Sequence, residues 1–445
     1  MSTQGNDPIK DRIAAIKTQK NIYGLGHVAR MRNYIIEVSG MEDVGYYEQV
    51  SVKDKAIGYV SRIGRDTVTV ELVRAESPVH VDDEVVTSGR TFGAFYSPDS
   101  IGKVVDMFAE DKMTGNFFKD RQHIGVIPPI IPIMDRTKVN RPMYTGLSSI
   151  DMMYPIGCGQ RQLIIGDKKT GKTQIGLDAI ANQRGQDTIC IYIALGKTKK
   201  TVKEVYTELQ SRGAMEYTII LAAFQDDGAP SLYMTPMVGL NIANIYMRQG
   251  KDVLVVIDDL TLHANIYREI SLLAGKVPGR DAYPADVFYL HASLLEQGCQ
   301  HKDGGSITIL PIVETRGGEI TDYISTNIIS ITDGQLVLSA KAFEKGQKPA
   351  VDFGLSVSRL GGAVQTPEMR SVGADVRREL LSYLETREVF ELVNMDEMNE
   401  DMRRKITRGR AILDLVNQYK FSPIGPRDMV ARFAEFADGG NEASL

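Results

Sequence analysis

The chain is predicted to be an α/β multidomain protein, with an N-terminal β-barrel, a central domain built on a parallel sheet and a C-terminal α-helical bundle. Three changes of hydrophobic rhythm carry that prediction. Residues 24–93 alternate apolar and polar side chains in short runs broken by glycine, the period-two pattern of half-buried strands. Residues 94–371 instead alternate short, almost wholly apolar runs with helix-length amphipathic stretches, as a parallel sheet covered on both faces requires. From 372 to 445 only helical periodicity remains.

Taken in chain order, residues 1–23 allow one short amphipathic helix. Ile9, Ile13 and Ile16 share one side, and Lys10, Asp11, Arg12, Lys17 and Lys20 lie mostly on the other. A docking segment and a frayed terminus fit this pattern equally. Strand-like runs follow at 34–38, 67–72 and 84–86, punctuated by Gly40, Gly45, Gly58, Gly64 and Gly89 at the spacing of a small barrel or sandwich. The central domain offers strands at 162–165, 188–194, 218–223 and 253–257, then at 307–312, 327–331 and 336–338. Three helices are expected beyond it, at 376–392, 402–419 and 427–436, before the polar tail DGGNEASL.

Composition bounds the function. The chain has 445 residues, 43% hydrophobic and 24% charged, enough for two to four domains at roughly 150 residues each. Its 52 Lys and Arg against 57 Asp and Glu leave a net charge of −5, which argues against a general nucleic-acid binder. No apolar run approaches the roughly 20 residues that span a bilayer, and the N-terminus has no signal-peptide core. The expected address is cytoplasmic, with any membrane contact made through partners. Cys158, Cys190 and Cys299 are too few and too scattered for a disulfide framework or a thiolate metal site, and are expected to be reduced and structural.

The strongest chemical signal is Gly166-Asp167-Lys168-Lys169-Thr170-Gly171-Lys172-Thr173, which follows the apolar strand RQLII and opens the helical stretch TQIGLDAIANQ. Strand, glycine-rich loop and helix are the three parts of a phosphate cradle. The loop wraps phosphates with backbone N–H groups, Lys172 reaches the β and γ phosphates, and Thr173 offers a hydroxyl to Mg²⁺ at the positive end of the helix. Nucleotide binding is the expected activity, with ATP or ADP and Mg²⁺ as ligands. Lys168 and Lys169 add charge that either strengthens phosphate binding or is simply solvated. The second element is the strand 252–257 ending in Asp258-Asp259. An acid at the end of a neighbouring strand holds Mg²⁺ through water in P-loop proteins, which makes Asp258 the candidate, although a strand-terminal Asp also serves as a turn or helix cap.

With these residues stand MYTGLSSIDMMYPIGCGQRQLIIGDKKTGKT, VLVVIDDL, GRDAYPADVFYLHASLLE, STNIISITDGQLVL and VDFGLSVSRLGGAVQ. In this order and spacing, they resemble the alpha subunit of the F-type ATP synthase over residues 24–435. The resemblance implies a RecA-like P-loop nucleotide-binding domain between the barrel and the bundle. It also implies an alternating ring of three alpha and three beta chains around a gamma-like shaft, with a membrane sector reached through other subunits. By the same resemblance, Arg359 in Ser356-Val357-Ser358-Arg359 matches an arginine finger that reaches a γ-phosphate in the neighbouring beta site. Phe343, Lys348 and Gln418 match positions lining an adenine pocket, with Lys348 in place of the usual Arg and Lys420 in place of a Gln. Glu314 matches an acid near the metal. His263 and His291, in contrast, have no second His at ligand spacing and are expected to be structural.

Departures from the family matter as much. In catalytic beta chains the strand after the P-loop helix ends in Gly and the Glu that orients the attacking water. Alpha chains usually carry Gln in place of that Glu, and here the strand ends in Gly196-Lys197. A charged lysine cannot take a proton from water, but it can pair with a phosphate. The chain is therefore expected to hydrolyse its own nucleotide slowly or not at all, unless a shifted alignment brings Glu204 into the pocket. The family's helical bundle also continues for several helices beyond Phe436, and its N-terminal segment is longer. Together these departures suggest a diverged paralogue, of the kind some mollicutes use in ATP-synthase-like complexes dedicated to hydrolysis and gliding. Two competing readings are a self-sufficient homohexameric ATPase of the export or Rho type, which Lys197 disfavours, and a ring component that binds no nucleotide, which the intact P-loop disfavours.

Overall fold

The computed structural model describes residues 24–41, 43–390 and 400–442. The helix expected at 1–23, and the end of the helix expected to reach residue 392, lie outside the described residues. The chain divides into two compact units, Met1–Gly93 with Gly228–Pro230, and Ala94–Asp227 with Ser231–Leu445.

In the first unit six strands close into an antiparallel barrel: β1 (Leu25–Arg32), β2 (Ile35–Ser39), β3 (Glu48–Val52), β4 (Ala56–Ile63), β5 (Thr67–Ala75) and β6 (Glu84–Thr91). Their order is β1-β2-β5-β4-β3-β6, with β6 returning to β1. Alternation turns one side chain of each pair inward, so Val28, Ile36, Val38, Val50, Val60, Val68, Val70 and Val85 fill the interior. Sequence reading misses β1, β3 and β4 for a physical reason. Only Gly26 and Val28 of β1 and Val50 and Val52 of β3 are buried, and register shifts at Val28/Arg30 and Val60/Arg62 interrupt the alternation of β1 and β4.

The second unit is built on a sheet of twelve strands. Its central strands are β7 (Val104–Val105), β8 (Leu163–Gly166), β9 (Thr188–Lys197), β10 (Thr218–Phe224), β11 (Asp252–Asp258), β12 (Ser306–Glu314) and β13 (Gly334–Leu338). They run in the order β7-β10-β9-β11-β12-β8-β13, each neighbouring pair parallel. Because they are covered on both faces their runs are almost wholly apolar, and all seven residues of β10 are buried. Helices α1 (Lys172–Ala181), α2 (Lys199–Ser211), α3 (Ala229–Arg248), α4 (Leu260–Leu273), α5 (Val287–Leu295) and α6 (Tyr323–Ile331) connect them.

Residues 327–331, expected as a strand, are the second half of α6. The isoleucine-rich run NIISI suggests a strand, but Asp322 accepts a hydrogen bond from Ser325 N at 2.8 Å and starts a helix, and Ile324 and Ile328 then fall on one buried face. Three further helices follow: α7 (Pro367–Phe390), α8 (Glu400–Val416) and α9 (Pro426–Glu442), the last running beyond its expected end at 436. Their Leu380, Tyr383, Ile412 and Phe433 belong to the same apolar cluster as Ile164 of β8 and Leu254 of β11. The bundle and the sheet therefore share one core. Among the described residues no helix is long and apolar enough to cross a membrane.

The approach of α8 to α7 is set by Gly409, where an added Cβ would lie 2.1 Å from Tyr383 Cγ. Helix propensity alone favours alanine by about 1 kcal/mol, whereas overpacking a filled contact costs about 1–3 kcal/mol. Gly409→Ala is expected to lower the stability of the chain by up to about 2 kcal/mol in urea unfolding; a raised midpoint would contradict this packing.

Candidate functional site

The candidate site lies where β8, β9, β11 and β12 end, at the carboxyl edge of the parallel sheet. β8 is buried throughout and stops at Gly166, from which the chain turns through Asp167 to Gly171 and enters α1. Two backbone conformations make that turn. Lys169 has φ of 64° and Gly171, the first cap of α1, has φ of 97°, a region open to glycine without cost. No side chain caps α1, which leaves its positive end to the cleft.

The loop is pinned from both sides. The Asp167 carbonyl accepts from Thr170 Oγ1 at 2.8 Å and from Lys172 Nζ at 2.5 Å, so the lysine folds back over its own loop. The Asp167 carboxylate accepts from Thr315 Oγ1 at 2.7 Å and from Gly318 N at 2.9 Å, fastening the loop to the chain leaving β12. Lys172 is buried, and desolvation holds its pKa below the ordinary lysine value against the pull of Glu314, Asp259 and Asp258.

Asp258 is the centre of the site. Its side chain is 2% exposed, yet three donors converge on it. Thr173 Oγ1 at 2.7 Å and Tyr192 Oη at 2.8 Å donate to one carboxylate oxygen, and Lys197 Nζ at 2.7 Å donates to the other. Asp259, joined to it by a cis peptide bond, plays a different part, since its carboxylate accepts from Leu262 N at 2.8 Å and caps α4. Of the two readings of the strand-terminal acids, the helix cap falls to Asp259. Lys197 reaches Asp258 from a bulge, where β9 slips register against β10 between Leu195 and Lys197 around Gly196. Burial opposes its charge, but Asp258, Asp259 and Glu314 outweigh burial and raise its pKa above the ordinary value. Burial first, and then the Asp258 carboxylate, keep Tyr192 protonated far above the usual phenol range.

Thr173 and Asp258, the pair expected to hold Mg²⁺, are brought together, but the ammonium of Lys197 is bound to the same carboxylate. Three of about four lone-pair directions of the Asp258 carboxylate are taken by donors. A hydrated divalent ion would meet a fixed positive charge at the carboxylate meant to receive it, and the residues do not fit the ion in that arrangement.

A cleft of about 340 Å³ opens here, lined by Lys169, Lys172, Thr173, Lys197, Asp258, Asp259 and Glu314 among others. Glu314 stands 3.4 Å from the exposed ammonium of Lys168. Glu204 does not reach the cleft: it sits exposed on α2, 3.9 Å from Lys200. Arg359 is exposed and does not line this cleft, and its guanidinium makes one long bond to the Ile329 carbonyl at 3.5 Å. Phe343 is 40% exposed, with Lys348 Nζ 6.0 Å from its ring centroid. Gln418 adjoins them through its backbone N–H, which donates to the Lys348 carbonyl at 2.6 Å. Its side-chain amide, however, is spent within the fold, donating to the carbonyls of Gly146 and Ser422 and accepting from Ser148 N.

Sequence reasoning misses Tyr192 and Thr315. Tyr192 has a signal: a tyrosine inside the otherwise apolar run 191–195 must find a partner for its hydroxyl. Thr315 has none, because its partner is 148 residues away. The three cysteines are buried and free. His263 and His291 lie on different helices but touch, Nδ1 to Nε2 at 3.3 Å, while His263 Nε2 meets the Tyr233 carbonyl at 3.0 Å. Among the described residues no cluster has the makings of a metal site.

Comparison with known proteins places these features. The model of the ATP synthase alpha/beta family, nucleotide-binding domain, matches residues 146–358. Proteins named ATP synthase subunit alpha extend the similarity to nearly the whole chain. That of Ureaplasma parvum serovar 3 is 40% identical over 424 residues, covering 94% of this chain and 53% of the relative. Those of Dehalococcoides mccartyi and Clostridium botulinum are 37% identical over 438 residues and 38% over 419, covering 97% and 94% of this chain and 87% and 83% of the relatives. The chain thus spans about half the length of the Ureaplasma protein and most of the other two.

The buried imidazoles make stability depend on pH. Burial lowers the pKa of His263 to about 4 and of His291 to about 3, whereas both titrate near 6.5 when unfolded. Between those values the unfolded chain binds more protons, so the stability present above pH 6.5 is lost as the pH falls towards 4. The urea midpoint is expected to fall more steeply from about pH 7 to about pH 5 in the native chain than in a His263→Gln, His291→Gln variant; equal slopes would contradict the assignment.

Proposed function

The chain belongs to the ATP synthase alpha/beta family, and from that premise we propose that it is an alpha-type subunit that retains nucleotide without hydrolysing it and completes the active sites of neighbouring beta-type chains. The observation that carries this reading is Lys197, bound to Asp258 at 2.7 Å where a catalytic chain of the family places a carboxylate. Hydrolysis needs a group that orients and deprotonates water, and a charged lysine does neither. The acids of the cleft offer no substitute. Asp258 holds three donors, Asp259 caps α4 and Glu314 faces Lys168.

Retention, in contrast, has what it needs. The pinned loop from Gly166 to Thr173, the uncapped start of α1 and the ammonium of Lys172 face one cleft, the arrangement that binds a nucleotide's phosphate chain. ATP or ADP is the proposed ligand. Phe343 and Lys348 are the exposed groups available to face its base, while Gln418 acts through the fold that holds them. The expectation of Mg²⁺ at Thr173 and Asp258 is not carried into this reading.

Arg359 supplies the second half of the proposal. Its guanidinium is exposed, makes no ion pair among the described residues and does not line its own chain's cleft. An arginine so placed fits a site on another chain, as the arginine finger expected from the family resemblance would. The proposed partners are beta-type chains alternating with this one in a ring of three and three around a gamma-like shaft, with peripheral membrane association through other subunits. A homohexamer of the export or Rho type would need a catalytic carboxylate in each cleft, and Lys197 counts against it.

Two variants separate the roles. Arg359→Ala is expected to leave nucleotide binding by this chain intact and to lower hydrolysis by the mixed ring about 10³-fold or more. Residual ring activity within about tenfold of the unmodified complex would contradict the finger. Lys172→Ala is expected to abolish nucleotide retention by this chain, read as nucleotide released on denaturing the purified protein.

A further inference from the structure

Three lysines and three carboxylates line the cleft: Lys169, Lys172 and Lys197, with Asp258, Asp259 and Glu314. Lys172 opens α1 and folds back over the loop, and Lys169 belongs to the turn. Lys197 is different in kind. It comes from β9, on the far side of the carboxylate from the loop, and its ammonium sits 2.7 Å from Asp258 and 3.7 Å from Asp259. With about a quarter of its side chain exposed, it is held by the protein yet faces the cleft.

It is a cation already seated on the carboxylate expected to receive a divalent ion. We infer that Lys197 is a built-in cation that makes this site select nucleoside di- and triphosphates free of metal, so that binding does not depend on Mg²⁺. The inference rests on the proposed nucleotide-binding role and specifies the ionic form of its ligand.

The physical reasons are three. First, the carboxylate that would order the ion's water is already neutralised, one of its oxygens by the ammonium itself. Second, the other carboxylate oxygen already accepts from both Thr173 and Tyr192, so few of its lone pairs are left for an ion's water. Third, the cleft has no uncommitted acid to offset two further positive charges. Asp259 is tied to the start of α4, and Glu314 has Lys168 beside it. An incoming phosphate finds the loop, Lys172 and the ammonium of Lys197; an incoming divalent ion finds the same ammonium repelling it. The family's glutamine at this position carries no charge and would leave the carboxylate free to receive the ion.

The test is ATP binding to the purified full-length chain by calorimetry, in excess EDTA and in excess Mg²⁺. The native chain is expected to bind ATP about tenfold or more tightly in EDTA, where the nucleotide carries no metal, than in Mg²⁺. Lys197→Gln is expected to reverse that preference, and Lys197→Arg, which keeps the charge, to behave as the native chain does. Native binding as tight or tighter with Mg²⁺ would overturn this inference and leave the nucleotide-binding reading standing. Absence of ATP binding in both conditions, from a chain whose melting shows it folded, would overturn both. The central comparison uses the native chain, so it holds even if a variant fails to fold.

Discussion

A buried carboxylate has to be partnered, and the partnering of Asp258 organises the nucleotide half of this molecule. At 2% exposure an unpaired charge there would be untenable, and removing one partner from such a buried group generally costs about 3–5 kcal/mol. The partners come from separate segments. Thr173 arrives on the first turn of α1, and Tyr192 and Lys197 on β9. For all three to meet Asp258, β9 must lie beside β11 and the loop after β8 must reach across β12, which is the strand order observed. The carboxylate and the topology therefore support each other: parallel pairing puts strand ends at one edge, and the edge assembles the site.

The same arrangement separates holding a nucleotide from breaking it. Phosphate recognition uses backbone and ammonium groups that need no proton transfer, and those are in place. Hydrolysis requires a free base beside the phosphate, and the position where the family supplies one holds Lys197. Meanwhile Arg359 follows directly on the short strand Val357–Ser358, exposed to solvent and away from its own cleft. On the proposed reading, one chain carries a phosphate-binding cleft without a base and an exposed cation suited to a site elsewhere, and an alternating ring is the assembly in which both features have a use.

How much of this is legible in the sequence depends on how local each signal is. The loop from Gly166 to Thr173 is read directly, because strand, turn and helix signals are contiguous. The fold class is legible for the same reason, from three blocks of periodicity. The barrel strands β1 and β3 are not, since each buries only two residues. Residues 327–331 mislead because β-branched side chains look like a strand, while the decisive cap at Asp322 lies upstream. Lys197 is conspicuous as a departure, but its partner is not: Asp258 is 61 residues away, and only strand pairing brings them together. Gln418 joins distant segments, which no local signal announces. Resemblance puts it beside the base, whereas its amide fastens the start of the 148–151 helix to the chain after α8.

The most direct test of non-catalytic retention is to purify the full-length chain alone and with a beta-type partner, and to measure bound nucleotide and ATP turnover in each. Retention predicts about one nucleotide per chain and negligible turnover for the chain alone, with hydrolysis appearing only in the mixed complex. A chain that assembles by itself and hydrolyses ATP at a rate comparable to the mixed complex would contradict it, and would mean that Lys197 does not remove the catalytic base.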